Sequence, residues 1–588
     1  MCGIVGYKGK RQASSVIIDS LKTLEYRGYD SWGVAVVGNP SISVVKEVGM
    51  ICDADTINNL GSGTVGIGHT RWATHGKVTE ENSHPHMSSD GCISVVHNGI
   101  IDNYQALKEQ LKKKGYVFRS ETDTEVIPLL IEDFIKNGCS FEDAFRKTLS
   151  FLEGTYAIVS IHKDSETMIC ARKDSPIVVG VGDGEHFVAS DSPAFINHTN
   201  KVIYLENYEM AVFNGSFEVR CSITGDIIDK KVQVLDWDVE QAKKGDFKHY
   251  MLKEISEQKE TITKAIHQDD KVLQGIADAI NESYGTFFIA SGSSYNAALS
   301  ASYTFSKIAR KHINIVDSSE FPNYEHFLTP QTLMITVSQS GETADVLDAV
   351  KVAKKKGVKI LSIVNVMGSS LMRNSDHTLL MNAGPEICVL STKSYTSQLA
   401  ILTLLAYACV GKLSEGKDLL KSVADHVGDL TDPKTLLGTV ELASCLKDKE
   451  HLYVIGRGQS YSTALEAALK IKEVSYIHAE GFAGGTLKHG PIALIEEGTP
   501  CIVFVPNDET RKEILSNAME VKSRGGYIIG VSDEENDIFD FFVKVPDVGH
   551  ASPITDIIPI QVLSYYLAIL RGCNPDRPRN LAKSVTVK

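Results

Sequence analysis

Met1-Cys2-Gly3-Ile4-Val5-Gly6 opens the chain, and its second residue sets the terms for everything behind it. If Met1 is trimmed, Cys2 carries both a thiol and a free α-amino group, so one residue supplies a nucleophile and its own base. An α-amino group titrates at about 7.7–8.0, so near neutrality much of it is free to take the thiol proton, directly or through a water. The apolar, glycine-punctuated run that follows predicts a buried strand holding this terminus inside the fold. The bland alternative is an initiator methionine that happens to precede a cysteine, and six residues do not separate the two.

At 588 residues the chain exceeds a single core, and about 150 residues per domain predicts three or four. A hydrophobic share of 43% with 23% charged residues fits an ordinary globular protein. The net charge of −14, with no long basic stripe, argues against nucleic acid as a partner. Eleven cysteines occur singly, without a C-x-x-C pair. With no signal peptide in view, they predict a reducing, cytoplasmic setting. Apolar runs such as Leu399–Val410 fall short of the roughly 18 residues that span a bilayer, so they read as core helices and no membrane is expected.

Residues 1 to 218 alternate β-rich runs with two helices. Ser15–Leu24 and Asn103–Lys114 have helical spacing, whereas Val34–Val37, Val65–Gly68, Ile93–His97, Tyr156–Ile161 and Phe187–Ala189 read as strands. Residues 219–274 read as a polar linker and a leading helix opened by His249-Tyr250-Met251. From 275 the pattern becomes strand, turn, helix, which predicts a mostly parallel sheet with helices on both faces. It occurs twice, over 275–415 and 440–578. Gly292 and Gly458, Ser294-Tyr295 and Ser460-Tyr461, and Ala298-Leu299 and Ala464-Leu465 all stand at one offset of 166 residues. Duplication at this scale predicts two similar lobes with a pocket between them.

Ser338-Gln339-Ser340-Gly341-Glu342-Thr343 places three hydroxyls and several backbone N–H groups at the start of a helix. Val346, Leu347, Val350 and Ala353 form that helix's buried stripe and Gly357 ends it. Such a terminus suits a dianion. The lysine and magnesium ligand of a nucleotide triphosphate loop are missing, and Gly456-Arg457-Gly458-Gln459-Ser460-Tyr461 ends in tyrosine where a dinucleotide fingerprint has glycine. A phosphate monoester is therefore favoured over NAD or ATP, against the plain alternative of a Ser/Thr-rich helix cap. Glu466, Lys470 and Glu473 share one helix face, a spacing that elsewhere most often marks a solvated salt-bridge row. His69, His75, His84 and His86 fit no zinc spacing, so neither metal nor cofactor is expected.

Five segments occur in order: Cys2-Gly3-Ile4-Val5-Gly6, Glu25-Tyr26-Arg27-Gly28-Tyr29-Asp30-Ser31, Gly68-His69-Thr70-Arg71-Trp72-Ala73-Thr74-His75-Gly76, His97-Asn98-Gly99 and Ser120-Glu121-Thr122-Asp123-Thr124-Glu125. Together they resemble the class II glutamine amidotransferase domain, an N-terminal-nucleophile hydrolase. The duplicated half resembles tandem sugar isomerase domains, and the whole chain is similar to the glutamine:fructose-6-phosphate aminotransferase family. The resemblance implies a four-layer αββα front domain followed by two α/β parallel-sheet domains. It implies L-glutamine and fructose 6-phosphate as substrates, glucosamine 6-phosphate and glutamate as products, ammonia channelled between the halves, and a homodimer.

It also implies roles. Cys2 would be the nucleophile, with Asn98 and Gly99 as oxyanion donors. Arg71 and Asp123 would clamp the glutamine backbone, Thr74, His75 and Arg27 would line or support the pocket, and Trp72 would gate the ammonia. Ser293, Ser294, Ser338, Gln339, Ser340, Thr343 and Ser391 would hold the sugar phosphate. Glu473 would move a proton between carbons 2 and 1 beside Lys470, and His489, expected to complete the partner's site, would open the ring. Lys583, on a tail 579–588 folded over the sugar site, would form a Schiff base. The chain has Ser291 where many members have cysteine, and Ser293 where threonine is usual. Its short linker leaves no room for the long insertion of some eukaryotic members. The alternatives are a different class II amidotransferase, which would need a pyrophosphate or ATP site, and a non-enzymatic phosphosugar sensor.

Overall fold

The computed structural model describes residues 2–51, 60–73, 75–235, 244–432 and 436–586. By its own contacts the chain divides into two units, Met1–Glu240 with Ala582–Lys588, and Gln241–Leu581.

The first unit is built on two antiparallel sheets. The strand expected at the amino end runs over Gly3–Lys8 and lies inside an eight-stranded sheet, between His186–Ala189 and Val65–Arg71. The second sheet has six strands, with Ile93–Ile101 paired to Gly154–His162. Ile4, Ala35 and Ile67 from one sheet meet Val96, Ala157 and Val159 from the other in a common core. Helix Ala13–Leu24 covers the outer face of the first sheet, where Ile17 and Leu21 press against Gly66 and Gly68. Helices Tyr104–Lys113, Val126–Lys136 and Phe141–Phe151 cover the second through Leu107, Ile127 and Phe145. This is the expected αββα sandwich, with four α-helices among the described residues in place of the two read from periodicity.

The boundary expected at 218 is also corrected. Strand Ser216–Cys221 pairs with Glu209–Asn214, and Gln233–Val234 forms an edge against Lys201–Tyr204. Both strands sit at sheet edges; Gln233–Val234 is only two residues long, and Ser216–Cys221 puts Phe217 and Val219 on the core between Glu218 and Arg220, an alternation too short to stand out from the polar stretch that follows.

In the second unit three helices, Tyr250–Ser256, Gln258–Ile266 and Asp270–Glu282, precede the first sheet. Two five-stranded sheets follow, all of whose pairs are parallel. In each, the first strand of the copy has the second on one side and the third, fourth and fifth on the other. Gly285–Ala290 and His451–Gly456 are those first strands, at the offset seen in the sequence. Helices Gly292–Thr304 and Gln459–Ser475 follow them and pack on each other, so the two copies meet along their leading helices.

One expectation about apolar runs is corrected here. Helix Ser552–Leu570 lies in a segment, Gly549–Leu570, long and apolar enough to cross a membrane by length and composition. Inside this unit it is a core element: Ile554, Ile557, Ile560, Leu563 and Leu567 belong to the same cluster as Ala464, Ala468 and Ile471. Asp556, placed inside the run, hid its length from an inspection for unbroken apolar stretches.

Candidate active sites

The first site forms where Gly3–Lys8, Val65–Arg71 and Ile93–Ile101 bring their ends together. Cys2, Arg71, Trp72, His75, Asn98, Gly99 and Asp123 line one pocket with Thr122, Thr124, His84, His97 and Thr586. The Cys2 sulfur accepts the Trp72 backbone N–H at 3.2 Å, and the Asn98 side-chain amide donates to the Cys2 carbonyl at 2.8 Å. Gly3 N–H donates to Thr70 Oγ1 and Ile4 N–H to Ser190 Oγ, which fixes the cysteine's position on its strand.

Gly99 adopts φ +130°, and a side chain there would run into the Thr155 carbonyl. Only glycine lets the backbone turn its N–H groups at this point. With Cys2 acting on glutamine as the resemblance implies, Gly99→Ala is expected to remove most of that activity, and a glutaminase assay on the purified variant would show it.

Arg71 is buried, and its guanidinium donates to the carbonyls of His75, Gly76 and Lys77, holding the loop that frames the pocket. Burial lowers its pKa, opposed by Cys2, Asp30 and Asp123. A buried guanidinium facing a pocket suits a carboxylate ligand. Asp123 accepts the Ile101 N–H at 2.8 Å, and His75 stands edge-on to Tyr104 with its Nδ1 buried and unpartnered among the described residues. Arg27 is a supporting residue and does not line the cavity. It pairs with Asp191 at 3.0 Å and reaches the Cys2 carbonyl at 3.5 Å. Beside it Gly28 packs directly on the Arg71–Trp72 backbone, where a Cβ would lie 2.8 Å from the Trp72 nitrogen. Thr74 lies outside the described residues.

Four histidines cluster at the pocket wall, of which His84 and His97 line it and His69 and His86 do not. His69 stacks on His84 at 4.2 Å, His84 meets His86 edge-on at 4.8 Å, and His97 and His86 pair with the hydroxyls of Thr124 and Thr122. Burial keeps all four neutral: it takes His69 down to about 3, and lowers His84, His86 and His97 as well. In an unfolded chain each would take up a proton below about pH 6.5, whereas the folded protein refuses it. Stability should therefore fall as the pH drops below 6.5, by about 1.4 kcal/mol per pH unit from His69 down to about pH 3, with His84, His86 and His97 acting in the same direction. Urea denaturation of the first unit's signal at pH 7 and pH 5 would measure it, and equal midpoints would contradict it.

The second site begins at the carboxyl ends of Gly285–Ala290 and Thr332–Ser338, neighbours at the point where strand order reverses, the usual place for a ligand in such a sheet. Ser338 Oγ accepts the Gly341 N–H at 3.0 Å and lies 3.3 Å from Thr343 Oγ1. Thr343 caps helix Ala344–Lys355 in extended conformation without a side-chain bond to the first turn, whose N–H groups are thereby left for a ligand. Ser391 Oγ is 2.6 Å from Ser394 Oγ, and Glu386 braces that turn by accepting from Thr392 and Ser394. Ser294 is held from behind by Gln398 at 3.1 Å.

Lys470 donates to Ser293 Oγ at 3.1 Å and pairs with Glu473 at 2.7 Å and Glu466 at 3.4 Å. The face is not a solvated salt-bridge row, because the Lys470 and Glu466 side chains are 1% and 0% exposed. Burial alone would lower the Lys470 pKa, but Glu473 and Glu466 outweigh it and hold the ammonium above its ordinary value. Burial raises Glu466, against Lys470 and the Asn296 amide that donates to it at 2.8 Å. Glu473, 19% exposed, is the member of the trio open to a substrate.

His489 is exposed and lines a cleft in the second unit with Arg457, Tyr461 and Thr510. The tail Ala582–Lys588, including Lys583, groups with the first unit, where Thr586 lines the Cys2 pocket. Its root is fixed in the second unit, where Asp576 accepts the N–H groups of Tyr250 and Met251 and Arg579 lies over the Tyr476 ring at 4.1 Å. Asp576→Ala should loosen this root, at a cost of about 1 kcal/mol for the lost helix cap. Faster limited proteolysis near the C-terminus would report it.

Residues 69–197 match the glutamine amidotransferase domain family, and residues 280–408 and 445–571 each match the SIS domain family. Fold and sites thus define a glutamine amidotransferase joined in one chain to a duplicated sugar isomerase half. Glutamine–fructose-6-phosphate aminotransferase (isomerizing) of Thermococcus kodakarensis is 46% identical over the full length of both chains, and that of Methanothermobacter thermautotrophicus 44%. The C-terminal domain of glucosamine-fructose-6-phosphate aminotransferase from Francisella tularensis superposes with a TM-score of 0.53 at 35% identity, covering 57% of this chain and all of that one. The chain belongs to the glutamine–fructose-6-phosphate aminotransferase (isomerizing) family.

Proposed function

We propose that this enzyme aminates and isomerises fructose 6-phosphate to glucosamine 6-phosphate, taking nitrogen from L-glutamine and leaving glutamate, the first step of amino-sugar synthesis. The observation that carries the reading is the convergence of Cys2, Arg71, Asn98, Gly99 and Asp123 on one pocket, in a chain whose remainder is the doubled SIS fold.

Cys2, with Met1 removed, attacks the side-chain amide of glutamine. Arg71 and Asp123 hold the substrate's α-carboxylate and α-ammonium, His75 and Thr74 line the pocket, and Arg27 supports the nucleophile's carbonyl. Asn98 and Gly99 meet the oxygen as it gains charge, a contribution of about 3 kcal/mol per donor. Trp72 gates the ammonia, which must stay out of bulk water because free ammonia at neutral pH is almost wholly protonated.

In the second half Ser293, Ser294, Ser338, Gln339, Ser340, Thr343 and Ser391 hold the phosphorylated ketose. Lys583 forms an imine at carbon 2. Glu473 carries the proton between carbons 2 and 1 with Lys470 beside it, and His489 acts in ring opening on a partner chain, which makes the working form a homodimer. No resident metal or cofactor has a step here, and a cytoplasmic setting suits the unpaired cysteines. Supplying fructose 6-phosphate with amide-labelled glutamine and unlabelled ammonium tests the route. Label should appear in the sugar amine; label that stays in solution ammonia would reject the proposed transfer. A fully active monomer on a sizing column would reject the dimer.

A further inference from the structure

His69 does not line the cavity, yet it touches the group that decides the chemistry there. It lies on strand Val65–Arg71 opposite Ile4 and Gly33, wholly buried. Its Nε2 is 3.0 Å from Asn98 Oδ1 and 3.2 Å from the His97 carbonyl. Both partners are acceptors, so Nε2 must carry the hydrogen. The other nitrogen, Nδ1, is buried with no hydrogen-bond partner among the described residues, and the ring is stacked 15° from parallel on His84. A proton on Nδ1 would be an unsolvated charge, so one neutral tautomer is enforced.

A primary amide has an acceptor end and a donor end, and nothing in its shape tells them apart. Facing the N–H of His69, Asn98 must present its oxygen. Its NH2 end then faces the nucleophile, where Nδ2 donates to the Cys2 carbonyl at 2.8 Å. Reversed, the amide would set two donors against each other on one side and two acceptors on the other.

We propose that His69 is a positioning residue for the amidotransferase reaction: a permanently neutral donor that keeps the Asn98 amide turned with its N–H groups toward the carbon attacked by Cys2. The inference rests on the reading of Cys2 as nucleophile and Asn98 as oxyanion donor. In that step the Cys2 sulfur bonds to the amide carbon and the carbonyl π pair moves onto oxygen, where the Asn98 and Gly99 N–H groups receive it. When the pair returns, the C–N bond breaks, the nitrogen leaves as ammonia with the proton taken up by the Cys2 amine, and a thioester remains. His69 neither gains nor loses a proton.

The test uses full-length enzyme with His69→Phe, which keeps a stacking ring without the donor, and His69→Gln, which keeps a donor. His69→Met, also without a donor, replaces the first if it does not fold. The readouts are kcat and KM for glutamine hydrolysis, and inhibition by L-glutamate γ-semialdehyde and by L-glutamate. The aldehyde adds to the thiol and places an oxygen where the oxyanion forms, whereas glutamate occupies only the ground-state contacts.

For His69→Phe or His69→Met the expected result is a fall in kcat of about 10- to 10²-fold, a fraction of the loss seen when such a donor is deleted outright. KM and glutamate inhibition should hold within about 3-fold, aldehyde inhibition should weaken in step with kcat, and His69→Gln should recover most of the loss. An unchanged kcat overturns the proposal. So does a uniform weakening of kcat, glutamate and aldehyde together, or a glutamine variant as slow as the donorless ones. Cys2→Ala run in parallel separates the two levels: if it still hydrolyses glutamine, the reading of the site fails, and if it is inactive while the donorless variants keep their kcat, only the role of His69 fails.

Discussion

Cys2→Ala is expected to abolish glutamine-driven amino-sugar formation while leaving amination from high concentrations of ammonium salts. The sulfur sits at the head of a strand clamped on both sides, within 3.2 Å of the Trp72 N–H and beside the Asn98 amide, in the pocket that also holds Arg71 and Asp123. Removing an attacking nucleophile from such a preorganised site leaves only donors and binding, and comparable deletions cost on the order of 10⁴ to 10⁶ in kcat. The substitution deletes one sulfur from a partly buried position, so the αββα sandwich should persist. The measurement is a paired assay with glutamine or ammonium as nitrogen source. Equal loss in both would mean that the sugar half had been damaged, and no loss in the first would remove Cys2 from the chemistry.

Lys470→Met is expected to be the most destabilising single change in the second unit. The lysine is enclosed with Glu466 and Glu473 around it, and besides Lys470 it is the neutral Asn296 amide and Ser293 hydroxyl that bond Glu466. Methionine fills nearly the same volume but leaves a carboxylate buried without its cation, which in other proteins costs about 3–5 kcal/mol. The sign of the pH effect distinguishes this cause from a packing defect. An orphaned buried carboxyl has a folded pKa raised above the unfolded value of about 4.3, so its penalty is full at high pH and fades as the pH falls through that raised value and it takes a proton. Denaturant midpoints of wild type and variant should differ more at pH 8 than at pH 5. Isomerising activity should also be lost, because Glu473 and Ser293 lose the ammonium that ties them together.

Much of this was legible in the sequence, for reasons that differ from element to element. Gly3–Lys8 could be read because its first four residues are all apolar or glycine, and the two parallel sheets because their first strands are largely apolar on both faces and recur at one interval. Helix Val126–Lys136 escaped because residues 126–131 are apolar all round, with Pro128 in the first turn, and no side chain caps the start. Phe141–Phe151, capped by Ser140, had the signal and went unread. At the pocket, the residues in contiguous motifs were found, whereas Thr586 came from the far end of the chain and Asp191, which anchors Arg27, has no motif of its own. His69, His84 and His86 fit no zinc spacing in the sequence, but their stacking on one another, and the His69 contact to Asn98, could be seen only in the folded protein.

The seam between the two copies has a further consequence. Ser293 and Asn296 belong to the leading helix of one copy, and Lys470, Glu466 and Glu473 to the leading helix of the other. The duplicated halves are therefore not independent: each supplies side chains that the other's leading helix needs as partners. Severed between them and produced as separate polypeptides, the earlier half would keep Ser293 and Asn296, the later half would keep Glu466, Lys470 and Glu473, and the buried contacts joining them would be lost. Such a chain can lose neither half and can exchange neither for a twin of the other, however alike their backbones remain.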